Sequence, residues 1–152
     1  MKVVVQRCMK ASVIVDDNTV GAISQGLMLL VGFTEKDSIK EINYMVDKII
    51  NLRIFDDEKG IMNQSVLDTK GSILSVSQFT LYADTKKGRR PSYIKALNGE
   101  EAKKLYQTFN QKLKETGLNV QTGIFGANMK VDFINDGPIT IILEKEGENN
   151  GK

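Results

Sequence analysis

The run Gly26-Leu-Met-Leu-Leu-Val-Gly-Phe33 is the feature that most limits what this chain can become. It is apolar at nearly every position, so it reads as a strand buried on both faces. Two segments change from strand to helical spacing. In Ser38 to Asn51, the residues Ile39, Ile42, Met45, Val46, Ile49 and Ile50 fall on one stripe, and Ser38 with Glu41 makes a capping box. From Gly99 to Thr116, the residues Ala102, Leu105, Tyr106, Phe109 and Leu113 form an apolar face. Asn98 is placed to cap this second helix and Gly117 to end it.

The rest reads as strands and turns. Val3, Val5 and Ser12 to Val15 alternate or are β-branched ahead of an Asp16 to Thr19 turn. Arg53 to Phe55, Ser65 to Leu67 and Gly71 to Tyr82 follow, with turns at Asp56 to Gly60 and Asp68 to Gly71. Asn119 to Gly123, Met129 to Ile134 and Pro138 to Leu143 complete the set. With 152 residues, 41% of them hydrophobic, the expectation is a single α+β domain. Its sheet should be curved or barrel-like, antiparallel or mixed, with both helices packed on one side. Residues 1–144 make up that domain. The remainder, 145–152, has no apolar side chain and is expected to be a mobile polar tail.

Composition removes several chemistries. The chain has no His and one Cys, Cys8. A Ser-His-Asp triad, an imidazole base, a CxxC zinc cluster and an intrachain disulfide are all excluded. No metal and no cofactor are expected. The longest apolar stretch, Leu27 to Val31, falls far short of the roughly 20 residues that span a bilayer, so no membrane partner is expected. With no export signal and one thiol, the expected location is cytoplasmic.

Three segments could carry chemistry. In Ser75-Val-Ser-Gln-Phe-Thr-Leu-Tyr-Ala-Asp84, strict alternation puts Ser77 and Phe79 on one face and Gln78 and Thr80 on the other. Ser77 and Thr80 share a pocket only if the strand bulges or ends near Gln78; otherwise they serve as ordinary strand-end hydroxyls. Next, Lys86, Lys87, Arg89 and Arg90 surround Gly88, a charge density suited to phosphates but equally to a solvated loop. Tyr82 and Tyr93 flank it. Finally, Asn135-Asp-Gly-Pro-Ile-Thr140 is a turn signal, and a Pro at a strand start is one of the places where a cis peptide occurs.

Taken together, SQFTLYAD, KKGRRPS and NDGPIT resemble the D-aminoacyl-tRNA deacylases, the D-tyrosyl-tRNA deacylase family. The likeness runs through VVQRCMKASVIVD, KIINLRIFDDEKGIMNQSVLD and TGIFGANMKVDFINDGPITIILE. Asn128 stands where the family commonly has an acidic residue, and Met9-Lys10 replaces a small-polar pair. The resemblance implies a homodimer that hydrolyses the ester joining a D-amino acid, or glycine mischarged on an alanine tRNA, to the tRNA end. It implies a catalytic pocket built from Ser77, Gln78, Phe79 and Thr80. Gly137 and Pro138 of the other subunit would reach into that pocket as the chirality filter. Lys86, Lys87, Arg89 and Arg90 are the candidate tRNA contacts. Two mechanisms stay open: Thr80 as an acyl-enzyme nucleophile, or pure positioning of ester and water with help from the tRNA 2′-hydroxyl. Two rivals are an RNA-binding barrel without catalysis and a Ser/Thr hydrolase of small esters.

Overall fold

The computed structural model describes residues 1–147. Its backbone is one long hairpin bent over itself. Strand β1 (Lys2–Val15) turns at Asp16 and Asp17, whose φ angles of 48° and 65° give the two-residue turn that matches strand twist. The return is split in two. Strand β2 (Asn18–Ile23) pairs with the outer half of β1, and β3 (Gly26–Gly32) with its inner half. Along the opposite edge of β1 runs β8 (Lys130–Glu144), antiparallel. Strand β6 (Ser72–Ser77) then joins β3 in parallel, and β7 (Asn119–Thr122) joins β6 in parallel. The sheet order is β2-β1-β3-β6-β7 with β8 on β1. The sheet curls until β2 meets β7. A Cβ on Gly21 would lie 2.8 Å from the Thr122 carbonyl oxygen, so only glycine permits this approach.

Helix α1 (Ile39–Asn51) crosses from β3 to β6, and α2 (Gly99–Glu115) from β6 to β7. Parallel crossovers share one handedness, which puts both helices on the same side of the sheet. That side takes Leu27, Leu29, Val31 and Ile73 against Ile42, Met45, Ile49, Phe109 and Leu113. The inside of the curl takes Met28, Leu74 and Val76 against Cys8, Ala11, Val13 and Ile23. Alternate residues of β3 thus enter two different cores. Each such side chain contributes about 1.5–3 kcal/mol of burial, so β3 anchors both layers.

The capping box on α1 is formed, with Ser38 N–H donating to Glu41 Oε2 at 2.7 Å. Several sequence expectations need correction. Ser65 to Leu67 is no strand: Ser65 N–H donates to Asp68 Oδ2 and Asp68 N–H to Ser65 Oγ, closing a turn. The neighbouring strand is β5 (Met62–Gln64), paired with β4 (Phe55–Asp56). The Gly71 to Tyr82 strand ends at Ser77 and becomes a 3-10 turn, Phe79–Tyr82. Asn98 makes no side-chain cap. Met129 to Ile134 and Pro138 to Leu143 are halves of one strand, β8, whose register on β1 slips near Cys8. In the segment expected to be a mobile tail, Lys145 exchanges hydrogen bonds with Met1 at 2.9 and 2.8 Å. Its residues 148–152 lie outside the described part.

Candidate active site

Strand β6 ends level with β3, Ser77 opposite Val31, and the Gln78 N–H donates to the Val31 carbonyl at 2.7 Å. Beyond this point the chain leaves the sheet. A cavity of about 420 Å³ lies over the carboxyl ends of β3 and β6, where parallel strands ordinarily place ligands. Its floor is Val31, Gly32, Val76 and Ser77. The start of α2 and the loop 125–129 close it.

Among the described residues, no ionisable side chain lines this cavity. Its polar groups are the Ser77 hydroxyl, the amides of Gln78, Asn98 and Asn128, and the backbone. Phe79 stands on the rim, 47% exposed, edge-on to Tyr93 with ring centres 5.2 Å apart. Thr80 is not among the lining residues. Its hydroxyl accepts a hydrogen bond from Gln78 Nε2. The first bond of the 3-10 turn runs from Leu81 N–H to Gln78 O at 3.3 Å, so the N–H groups of Phe79 and Thr80 precede it. The chain's one thiol is no substitute nucleophile: burial pushes Cys8 up to about 11.

Asp84 and Ser92 exchange two backbone hydrogen bonds of 2.8 Å and set off the loop between them. Lys86, Lys87, Arg89 and Arg90 are all exposed on it, and Gly88 at φ 65° makes its turn. None of the four cations has an ion-pair partner among the described residues. The loop joins the cavity rim through Phe79 and Tyr93.

Gly137 and Pro138 occupy another place altogether. They lie on β8, which β1 and β3 separate from β6, and both are exposed. Their peptide bond is cis, and Gly137 has φ 120°. Arg7 holds the segment from beneath. This side chain, 7% exposed, donates from Nε to the Asp136 carbonyl at 3.2 Å and from Nη1 to the Ile54 carbonyl at 2.8 Å. It also pairs with the carboxylates of Asp136 and Asp56 at 3.3 and 3.6 Å. Within one chain, Gly137 and Pro138 form no part of the cavity wall.

Sequence reasoning missed Arg7, Asn98 and the wall loop 125–129. An arginine inside an otherwise apolar alternating strand was the available signal for the first. For the loop it was two glycines, Gly123 and Gly126, between strands.

Residues 4–144 match the family described as D-Tyr-tRNA(Tyr) deacylase. The chain belongs to that family. Membership makes it an enzyme, a hydrolase. A D-aminoacyl-tRNA deacylase of Brevibacillus brevis is 59% identical over 95% of this chain and 99% of its own length. One from Clostridium botulinum (strain Alaska E43) is 56% identical over 95% and 97%. Among solved structures, a c-Myc DNA unwinding element binding protein superposes with a TM-score of 0.91 at 43% identity, covering 97% of this chain and all of that one. A probable eukaryotic D-amino acid tRNA deacylase shares the fold, with a TM-score of 0.82 at 18% identity over 93% and 97%.

Proposed function

We propose that this chain hydrolyses the ester between a D-amino acid, or glycine mischarged on an alanine tRNA, and the terminal adenosine of the tRNA, and that it spares L-aminoacyl-tRNA. The observation that carries this reading is the cavity beside Ser77, Gln78 and Phe79, which has polar groups but no titratable one. Such a site has no general base to offer a nucleophile. It suits an ester that needs little activation, and an aminoacyl ester is activated already by its ammonium group and the neighbouring ribose hydroxyl. Placing that ester against backbone N–H donors, each worth about 3 kcal/mol at a developing oxyanion, then supplies much of the rate. The N–H of Phe79, on the cavity wall ahead of the 3-10 turn, is such a donor, and the tRNA 2′-hydroxyl assists the attacking water.

The stereochemical filter comes from a second copy of the chain. Gly137 and Pro138 are exposed and rigidly seated on Arg7, while the outer edge of β8 pairs with no other described strand. Ile142 and Ile134 on β8 and Met9 on β1 are 70%, 47% and 59% exposed, apolar surface that a homodimer would bury. Gly137–Pro138 of one copy entering the cavity of the other brings backbone against the substrate's α-carbon. Gly allows the close approach and Pro fixes the direction of the wall. A clash of this kind rejects an L side chain of any size, and it admits D residues and glycine. The exposed loop of Lys86, Lys87, Arg89 and Arg90 beside the rim holds the phosphates of the acceptor stem.

The test is hydrolysis of D-Tyr-tRNA, L-Tyr-tRNA and Gly-tRNA(Ala) by the purified protein with and without EDTA. The first and third should be cleaved and the second left intact, at rates EDTA does not change. Rapid loss of L-Tyr-tRNA refutes the filter. Activity abolished by EDTA and restored by Zn²⁺ refutes catalysis by positioning alone.

A further inference from the structure

On the far side of Phe125 from the catalytic cavity lies a second groove of about 320 Å³, between α2 and the end of β7. Phe125 belongs to both walls, so the two spaces adjoin at this residue. Their chemistry is opposite. The cavity has no charge, whereas the groove carries Lys103 and Lys114, with Gln107, Asn110 and Gln111 between them and no acidic lining residue. Both lysines are exposed, and neither ammonium has an ion-pair partner among the described residues. Asn110 is 7% exposed, and its Oδ1, which has no hydrogen-bond donor among the described residues, is closed off from solvent.

The helix gives the groove a direction. Helix α2 starts over the cavity at Gly99, and Lys103 comes one turn later. Lys114 stands eleven positions beyond, at the far end, about 16 Å along the axis. A chain leaving the cavity past Phe125 would meet Lys103 first, the amides next and Lys114 last. Regularly spaced anions joined by groups that carry amine donors fit this order, and single-stranded nucleic acid is such a chain.

We infer that this groove binds the unpaired nucleotides immediately 5′ of the acylated adenosine, their phosphates on Lys103 and Lys114 and their bases along the exposed amides of Gln107 and Gln111. This rests on the reading of the catalytic cavity given above and adds a second, separate RNA contact to the Lys86–Arg90 loop. It predicts that the enzyme distinguishes a full substrate from one that ends at the ester.

The experiment compares D-tyrosyl-tRNA with D-tyrosyl-adenosine, which has no preceding nucleotide, for the wild type, the double variant Lys103→Ala/Lys114→Ala and the rescue pair Lys103→Arg/Lys114→Arg. The alanine pair should raise KM for D-tyrosyl-tRNA roughly tenfold and lower the slope of log KM on log salt by about 1.4, two contacts at about 0.7 each. It should leave D-tyrosyl-adenosine hydrolysis unchanged, and the arginine pair should restore the tRNA substrate. Equal losses on both substrates, or no change on D-tyrosyl-tRNA, overturns the groove. A wild type that cleaves neither ester overturns the deacylase reading itself and the groove with it.

Discussion

Ser77-Gln78-Phe79, at and just past the end of β6, and Gly137-Pro138, on β8, are separated by β1 and β3, and their settings differ in kind. The first segment borders a cavity and offers amides, a hydroxyl and the start of a 3-10 turn. The second borders no cavity. It is an exposed piece of strand held by a buried arginine, with a glycine whose φ of 120° strains any L side chain. On the proposed reading, one chain supplies a place for the ester in one region and a shaped wall in the other. Under the proposed function, the two complete a site when the wall comes from another copy.

The largest expected effect tests that division. A Cβ on Gly137 would sit 2.8 Å from Ile139 Cγ1 and 3.2 Å from Arg7 Nη2, in a backbone conformation L residues avoid. Gly137→Ala should therefore shift the wall and cost roughly a hundredfold in kcat/KM on D-Tyr-tRNA, the scale of a misplacement of about 1 Å. Phe79→Ala should impair the cavity of its own chain alone. Refolding the two variants together makes mixed dimers in which one site has both segments intact. Random pairing should restore about a quarter of the wild-type sites. No recovery on mixing would mean that both segments act within one chain or that no shared site exists.

The basic loop gives the next effect. Changing Lys86, Lys87, Arg89 and Arg90 to Ala together should raise KM for D-Tyr-tRNA by about tenfold or more and lower the salt slope by up to about 3 units. Selectivity for D over L should stay as it was, since the loop belongs to neither segment of the comparison. An unchanged slope would move the acceptor stem elsewhere. A changed D/L ratio would tie the loop to the wall.

The same contrast explains what could be read from residues alone. Helix α1 was legible in full because its stripe and its capping box are local: Ser38 and Glu41 are three positions apart. The double burial of Gly26 to Phe33 was legible too, since it needs only hydrophobicity. The end of β6 was not. Ser72 to Tyr82 keeps its strand-like character past Ser77, and the change to a 3-10 turn follows from β3 ending opposite, at Gly32. Ser65 and Asp68 closed a turn inside an apparent strand by trading side-chain bonds with each other's N–H groups. For the site, the motifs Ser77-Gln78-Phe79-Thr80 and Gly137-Pro138 stood out, while the cavity's other walls did not. Asn98 and Phe125 come from elements distant in sequence, and only the crossover of α2 brings them over β6.

The smallest expected effect separates the members of the first segment from one another. Gln78 and Phe79 line the cavity, whereas Thr80 does not, and its hydroxyl is engaged by Gln78 Nε2. If the ester is only positioned, Thr80 contributes no more than the hydroxyl that receives the Gln78 amide. Thr80→Ala should then retain kcat to within about threefold, the cost of a loosened Gln78 amide and less than one neutral hydrogen bond. Gln78→Ala should lose more, about tenfold, because it removes a group from the cavity wall. A nucleophile behaves otherwise: deleting it costs orders of magnitude, and an aminoacyl ester on Thr80 should be trapped by rapid quench and seen by mass spectrometry. With no ionisable side chain on the cavity wall, no base is in place to deprotonate that hydroxyl, so the order Gln78→Ala worse than Thr80→Ala is the expected result. The reverse order, together with a trapped adduct, would make Thr80 the reacting group and the cavity a ground for covalent catalysis.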